Sequence, residues 1–385
     1  MTTNTIHEQA KIWQRQLHQI PEPSGLEAKT AEFISKRLDE LGIYHVRDIG
    51  GHGIVGTLQR GPSNRSVGLR ADFDALPIHE LNSFAHTSQH AGAMHACGHD
   101  GHTACLLGAA ATLMQDEAWS GTIQLVFQPA EENGTGAKAM IADGLFERFP
   151  MERVFGFHNN PGTEEGVVAV FSGPSMSAGG DWYVTLKGIS GHAAQPHLTR
   201  DPVLAAGHLI VALHSIVARN VDPLDTVVLT VSSVNGGTVS NQIPELVKLV
   251  GTLRTFKTEV RAAIIERMKQ VIEGIAASFG VVADYQINST GRAMCDTPDE
   301  AQMSVAAAEI AGLPVTRDIR PVMGGDDFAF LVKDRLGSYV FIGSGPMVEG
   351  EKLHQERYDF NDAIIPTAIT WLTSVAKHAL VSGQN

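Results

Sequence analysis

The chain has 385 residues, 43% hydrophobic and 18% charged, against roughly 100 to 200 residues for a typical domain, so two domains of ordinary soluble composition are expected. A formal net charge of −13, from 42 acidic and 29 basic residues, with no run of basic residues, excludes a nucleic-acid footprint. No unbroken apolar run nears the roughly 18 residues of a membrane span, and residues 1–19 are too polar for a signal peptide, so a cytoplasmic protein without membrane attachment is expected.

In chain order, Ile6, Ala10, Trp13, Leu17 and Ile20 recur at intervals of four and three and predict a first helix. Ser24 and Glu27 have the spacing of a capping box. Ala31, Ile34, Leu38 and Leu41 then continue a second helix that Gly42 stops. Strand-like runs at 54–58, 67–70, 122–127 and 154–157 alternate with helical runs at 102–115 and 137–146. This alternation predicts an α/β fold with a mixed sheet flanked by helices.

After the turn-rich segment 173–180 the pattern changes. Trp182, Val184 and Leu186 alternate with Tyr183, Thr185 and Lys187, the period of a half-buried strand. A helix at 202–218, strands at 226–234 and 246–255, a helix at 259–279 and a strand at 281–287 complete the order β-α-β-β-α-β. That order is the ferredoxin-like unit. The expected organisation is therefore a discontinuous domain of residues 1–177 and 293–385, completed by a strand at 339–342 and a helix at 363–379. It is interrupted by a domain of residues 178–292.

Cys97, Cys105 and Cys295 cannot all pair with one another, and burial or metal binding accounts for them. Of 17 histidines, five (His86, His90, His95, His99 and His102) fall within 17 residues, where an even spread would place fewer than one. Residues of metal-ligand type follow the predicted strands: Asp72 and Asp74, Cys97 and His99, Glu131 and Glu132, and His158. Ligands gather at the carboxyl ends of strands in open α/β sheets. These side chains exceed the needs of one four-coordinate zinc and suit two ions that share a ligand.

Cys97 and His99 supply a thiolate and an imidazole beside Gly98 and Gly101, which permit a tight backbone. Adjacent glutamates at a strand end point in opposite directions, so one of Glu131 and Glu132 can hold a metal while the other reaches a water. Asp72 and Asp74 read either as a pair that orients a ligating histidine or as a helix-capping turn; Asp74 is placed in the orienting role. His86, His90, His95 and His102 are read as outside the ligand set, solvated or supporting it. In the inserted domain, His192 ends the first strand among glycines and reads equally as an exposed loop histidine. Asn241 closes a Gly-rich turn that can approach a ligand. Arg254 can clamp a carboxylate or serve as a surface ion-pair partner.

Several segments together resemble a known family: Leu69-Arg70-Ala71-Asp72-Phe73-Asp74-Ala75-Leu76-Pro77, Met94-His95-Ala96-Cys97-Gly98-His99-Asp100, Phe127-Gln128-Pro129-Ala130-Glu131-Glu132, Gly156-Phe157-His158-Asn159-Asn160-Pro161, Gly191-His192-Ala193-Ala194-Gln195-Pro196-His197 and Gly324-Gly325-Asp326-Asp327-Phe328. The family is that of the dinuclear metallo-amidohydrolases, which includes aminoacylases, carboxypeptidases, hippurate hydrolase and indoleacetyl-amino acid hydrolases. The amidohydrolase branch is the nearest, and the resemblance spans nearly the whole chain. It implies a catalytic α/β domain interrupted by a lid through which two subunits form a homodimer.

The resemblance further implies Cys97, His99, Glu132, His158 and His354 as ligands of two divalent ions, with Cys97 bridging. Zinc or manganese would fill the sites, with nickel or cobalt as alternatives. Glu131 would be the general acid/base, Asp74 would steer a ligating histidine, and His192 of the partner subunit would polarise the scissile carbonyl. Asn241, Arg254 and Gly325 would lie at the substrate, an N-acyl-amino acid of the hippurate or N-acetyl type, cleaved to a carboxylic acid and a free amino acid. Ile20, Asn133, Gly325 and Asp326 depart from the usual histidine, glycine, serine and glutamate. The last two would bear on acyl or amino acid preference. A dipeptidase or carboxypeptidase activity by the same mechanism is the alternative within the family. A catalytically silent metal-binding protein is the alternative outside it, which the retention of Glu131 argues against.

Overall fold

The computed structural model describes residues 2–171, 173–288 and 291–381. It divides into two compact units. The larger comprises Met1–Gly173, Cys295–Arg320 and Asp326–Asn385, and the smaller Pro174–Met294 and Pro321–Gly325. The interruption runs over Pro174–Met294 where 178–292 was expected, and the short return of Pro321–Gly325 to the smaller unit was not expected.

The larger unit is built on one mixed sheet. Its strands lie in the order Tyr44–Ile49, Gly53–Arg60, Gly121–Gln128, Ser66–Asp72, Arg153–Asn160, Leu336–Gly343, Val168–Ala169 and Val315–Thr316. The four strands in the middle of this order run parallel and are buried almost throughout, as sheets covered on both faces require. Helix His99–Gln115 is buried nearly all round, which is the expected state of a helix apolar on every side. The first helix, Thr3–His18, turns Ile6, Ala10 and Trp13 into the same core and buries Leu17, while Ile20 lies beyond its end.

Local chemistry moves two of the expected helix boundaries. The helix Ala28–Glu40 has no side-chain cap from Ser24 or Glu27. Its free N–H groups at Lys29 and Thr30 donate instead to Glu22 Oε2 at 2.8 and 2.9 Å, while the Ser24 hydroxyl donates to Asp74. The run 137–146 divides into Gly136–Ala142 and Leu145–Arg148 at Gly144, whose φ of 82° lies in the left-handed region. The edge strand Tyr44–Ile49 and the helices Pro298–Ile310 and Phe328–Asp334 were not anticipated.

The smaller unit has four antiparallel strands in the order Val227–Asn235, Leu246–Thr255, Ala178–Lys187 and Val282–Ile287. Helices Pro202–Asn220 and Thr258–Phe279 complete the β-α-β-β-α-β order. Trp182, Val184 and Leu186 pack with Leu209, Leu213, Ile264 and Met268 as its core. Helix Pro202–Asn220 and the segment Asp362–Val381 are long and apolar enough to cross a bilayer by length and composition, although neither is an unbroken apolar run. Both bury residues in the core of their own unit.

Gly251 faces Trp182 across the ladder, and a Cβ there would lie 2.2 Å from the indole and 2.1 Å from the Thr230 carbonyl. Gly251→Ala is therefore expected to destabilise the smaller unit by about 1–3 kcal/mol, read as a lower urea midpoint of the full chain. An unchanged midpoint contradicts this packing.

Candidate metal centre

The parallel strands deliver their carboxyl ends to one edge of the larger sheet, where ligand-bearing loops collect. Asp72 ends its strand, and His158 and Asn159 lie in the last turns of pleat of Arg153–Asn160. His99 opens helix His99–Gln115 behind Gly98, whose φ is 99°. After strand Gly121–Gln128, Ala130 takes a φ of 52° and donates its N–H to Glu27 Oε1 at 2.9 Å. That turn, with the Glu132 N–H held by Asp74 Oδ2 at 3.0 Å, presents Glu131 and Glu132. His354 has a φ of 64° and is tied by its N–H to the Ala96 carbonyl at 2.7 Å.

Two groups of donors share Cys97. One is Cys97, His99 and His158; the other is Cys97, Glu132 and His354; within each, the donor atoms lie within 4.8 Å of one another. Cys97 Sγ is 3.5 Å from His158 Nε2, and Glu132 Oε2 is 3.6 Å from His354 Nε2. Cys97, His99 and His158 are buried, while the His354 side chain is 53% exposed. His99 Nδ1 contacts the Asp74 carbonyl at 3.0 Å and Asp74 Oδ1 at 3.2 Å, which turns Nε2 toward the other donors.

Buried polar atoms are normally hydrogen-bonded, yet His99 Nε2 and Glu132 Oε1, 4.0 Å apart, are buried without a hydrogen-bond partner. Burial pushes the Cys97 thiol well up, raises the Glu132 carboxyl to about 7 and lowers His158 to about 3. Divalent cations would offset the first two penalties by favouring thiolate and carboxylate, and they require the neutral imidazole that burial already favours at His158. One thiolate, three imidazoles and one carboxylate form a donor set that fits such ions.

The two adjacent glutamates both lie 4.0 Å from His99 Nε2 but have different further neighbours. Glu132 joins Cys97 and His354, whereas Glu131 also groups with Asp326 and Asp327. Burial first, then the charge of Asp326, pushes the Glu131 carboxyl well above the ordinary range. Asp74 goes the other way: burial opposes ionisation, but bonds from His99, Ser24 and the Glu132 N–H hold its carboxyl below the usual value.

Asp326, expected to bear on acyl or amino acid preference, is buried and paired with Arg70 at 3.1 Å. Arg70 itself was missed, although a cation inside the apolar run Val67–Ala71 was a visible signal. Of the histidines read as solvated or supporting, His95 is fully buried, His86 stacks on Phe84, and His90 Nδ1 donates to the Pro21 carbonyl at 2.8 Å. His102 is buried between Asp72 and Asn159.

The remaining expected residues belong to the smaller unit and form two pairs. His192 and Asn241 lie exposed on the short ladder of Gly191–His192 with Gln242–Ile243, where the Ala193 N–H donates to the Asn241 carbonyl at 3.0 Å. Arg254 lies over Gly179, and a Cβ at Gly325 would stand 3.7 Å from its Nη1.

The family model described as Peptidase family M20/M25/M40 matches residues 68–378. The chain is 39% identical to N-acetyl-L-cysteine deacetylase of Bacillus subtilis, covering 99% of this chain and 90% of that one. It is 35% identical to hippurate hydrolase of Campylobacter jejuni, over 94% of both. Among solved structures, the YXEP protein of Bacillus subtilis, titled a dinuclear metal binding peptidase from the M20 family, superposes with a TM-score of 0.84 at 29% identity, over 97% of this chain and 98% of that one.

Proposed function

Because the chain belongs to peptidase family M20/M25/M40, whose curated members similar to it include amidohydrolases, we propose that it hydrolyses N-acyl-amino acids of the hippurate or N-acetyl type to a carboxylic acid and a free amino acid. The observation that carries this reading is the pair of donor groups sharing Cys97, with Glu131 outside both. Cys97, His99 and His158 would hold one divalent ion, and Cys97, Glu132 and His354 a second, zinc or manganese with nickel or cobalt as alternatives. When bound, the two ions would polarise the amide carbonyl and lower the pKa of a shared water.

The remaining work falls to the protein. Glu131 takes the proton of the attacking water and passes it to the departing amine nitrogen, a task open to a carboxylate that lies outside both donor groups sharing Cys97. Asp74 keeps His99 in one tautomer. Arg254 receives the substrate carboxylate through a planar fork, and Gly325 leaves that guanidinium uncovered. In a cytoplasmic homodimer formed through the smaller unit as a lid, His192 of the partner subunit donates to the developing oxyanion. Its Nδ1 already accepts from the Ala194 N–H at 3.0 Å, so Nε2 carries the proton. Asn241, beside it on the same ladder, would contact substrate.

Amino acid release from acetyl, benzoyl and longer acyl conjugates, and from dipeptides, tests the reading with and without chelator. Acyl conjugates should be cleaved, chelation should stop turnover, and zinc or manganese should restore it. Release from dipeptides alone, or turnover indifferent to chelation, would overturn it. Two tightly bound ions without any turnover would identify a silent metal-binding protein.

A further inference from the structure

Beneath the donor atoms runs a chain of buried side chains that the mechanism leaves without a task. Asp72 accepts from Arg70 Nη1 at 2.7 Å and from His102 Nδ1 at 2.6 Å. The second His102 nitrogen meets the Asn159 side-chain carbonyl at 2.7 Å. Asn159 Nδ2 donates to Tyr358 Oη at 2.8 Å. Asp72, His102, Asn159 and Tyr358 are all buried, at 0%, 0%, 1% and 2% exposure.

Each link of this chain touches a segment that carries a proposed ligand. Asp72 Oδ2 lies 3.8 Å from His99 Nε2. The Asn159 carbonyl accepts from His158 Nδ1 at 2.7 Å, which leaves His158 Nε2 facing Cys97. Gly98, between Cys97 and His99, rests on the chain: a Cβ there would stand 2.4 Å from Asn159 Oδ1 and 2.9 Å from Tyr358 Oη. Tyr358 closes the turn after His354, donating its N–H to the Gln355 carbonyl at 3.1 Å.

We propose that the hydrogen-bond chain Asp72–His102–Asn159–Tyr358 sets the spacing of the metal cage, making His102, Asn159 and Tyr358 positioning residues for the ions. The inference rests on the dinuclear reading above. Apolar side chains of the same size would fill this volume equally well, and polar ones are costly there unless every partner is aligned. A satisfied buried network admits one arrangement and so fixes the segments it joins. The bonds run across four segments that are distant in sequence, so they constrain ligands that no single loop could hold together.

The test is a cobalt(II) titration of the metal-free full chain, followed by the thiolate-to-cobalt absorption band. Tyr358→Phe removes one hydroxyl and keeps the ring; His102→Gln cuts the chain in the middle. Both should weaken cobalt binding by about 10- to 100-fold and shift the band, as loss of a partner behind a ligand does elsewhere. Gly251→Ala, destabilised in the other unit, should bind cobalt like the native chain, which separates positioning from a general loss of stability. Native-like affinity and band in Tyr358→Phe would overturn the inference while leaving the dinuclear reading intact. A native chain that gives no thiolate band, or a band that survives Cys97→Ser, would instead overturn the dinuclear reading and this inference with it.

Discussion

Glu131→Gln is expected to retain its metal and lose at least about 10²- to 10⁴-fold in turnover, the usual contribution of a positioned acid/base. The substitution preserves volume and removes only the capacity to accept a proton. Glu132 keeps its place with Cys97 and His354, so metal content by elemental analysis should stay native while acyl-amino acid release falls. The two measurements together matter more than either alone. A variant within tenfold of native rates would show that the proton travels elsewhere. A variant without metal would show that Glu131 is itself a ligand, a role for which its grouping with His99 and Glu132 provides the geometry.

The largest expected stability effect lies at Arg70. Its guanidinium donates to Asp72 at 2.7 Å, Asp326 at 3.1 Å, Asp327 at 3.2 Å and the Gln128 carbonyl at 2.9 Å, all buried. Arg70→Met removes the cation and leaves those carboxylates uncompensated, which typically costs about 3–5 kcal/mol. Arg70→Lys should also lose stability, because one ammonium cannot serve partners arranged around a planar fork. In Arg70→Met the orphaned carboxyls take up protons more readily folded than unfolded. Stability should then fall as pH rises above about 4, their unfolded value. Urea unfolding across pH measures both effects; a loss under about 1 kcal/mol would mean that the cluster holds itself together without its cation.

The strands that carry the site were legible because each is a short apolar run that ends in polar ligand types, and the sheet gathers such ends on one edge. The opposite aim expected of Glu131 and Glu132 assumed a strand that in fact ends at Gln128; both lie in the turn beyond it and reach within 4.0 Å of His99 Nε2. Elsewhere the deciding partners are remote. Ser24 has the spacing of a cap but is taken by Asp74, while Glu22 reaches back to the free N–H groups. His102 looked peripheral because its partners, Asp72 and Asn159, are 30 and 57 residues away. His354 follows no periodic segment and owes its place to a left-handed backbone angle, so only family resemblance pointed to it. Helix Pro298–Ile310 buries mostly small residues, Ala301, Ser304, Ala307 and Ala308, and lacks the bulky stripe that pattern reading depends on.

The interrupted larger unit has a consequence for biosynthesis. Strand Leu336–Gly343 fits between Arg153–Asn160 and Val168–Ala169 in the sheet, yet it is translated after the whole inserted unit. A ribosome adding about 5–20 residues per second needs roughly 10–40 s to travel from His158 to His354. During that interval the nascent chain exposes two unpaired strand flanks in what will become the sheet interior. Most of the smaller unit, Pro174–Met294, emerges before its last segment Pro321–Gly325, and while its host still waits for the sheet strands Val315–Thr316 and Leu336–Gly343.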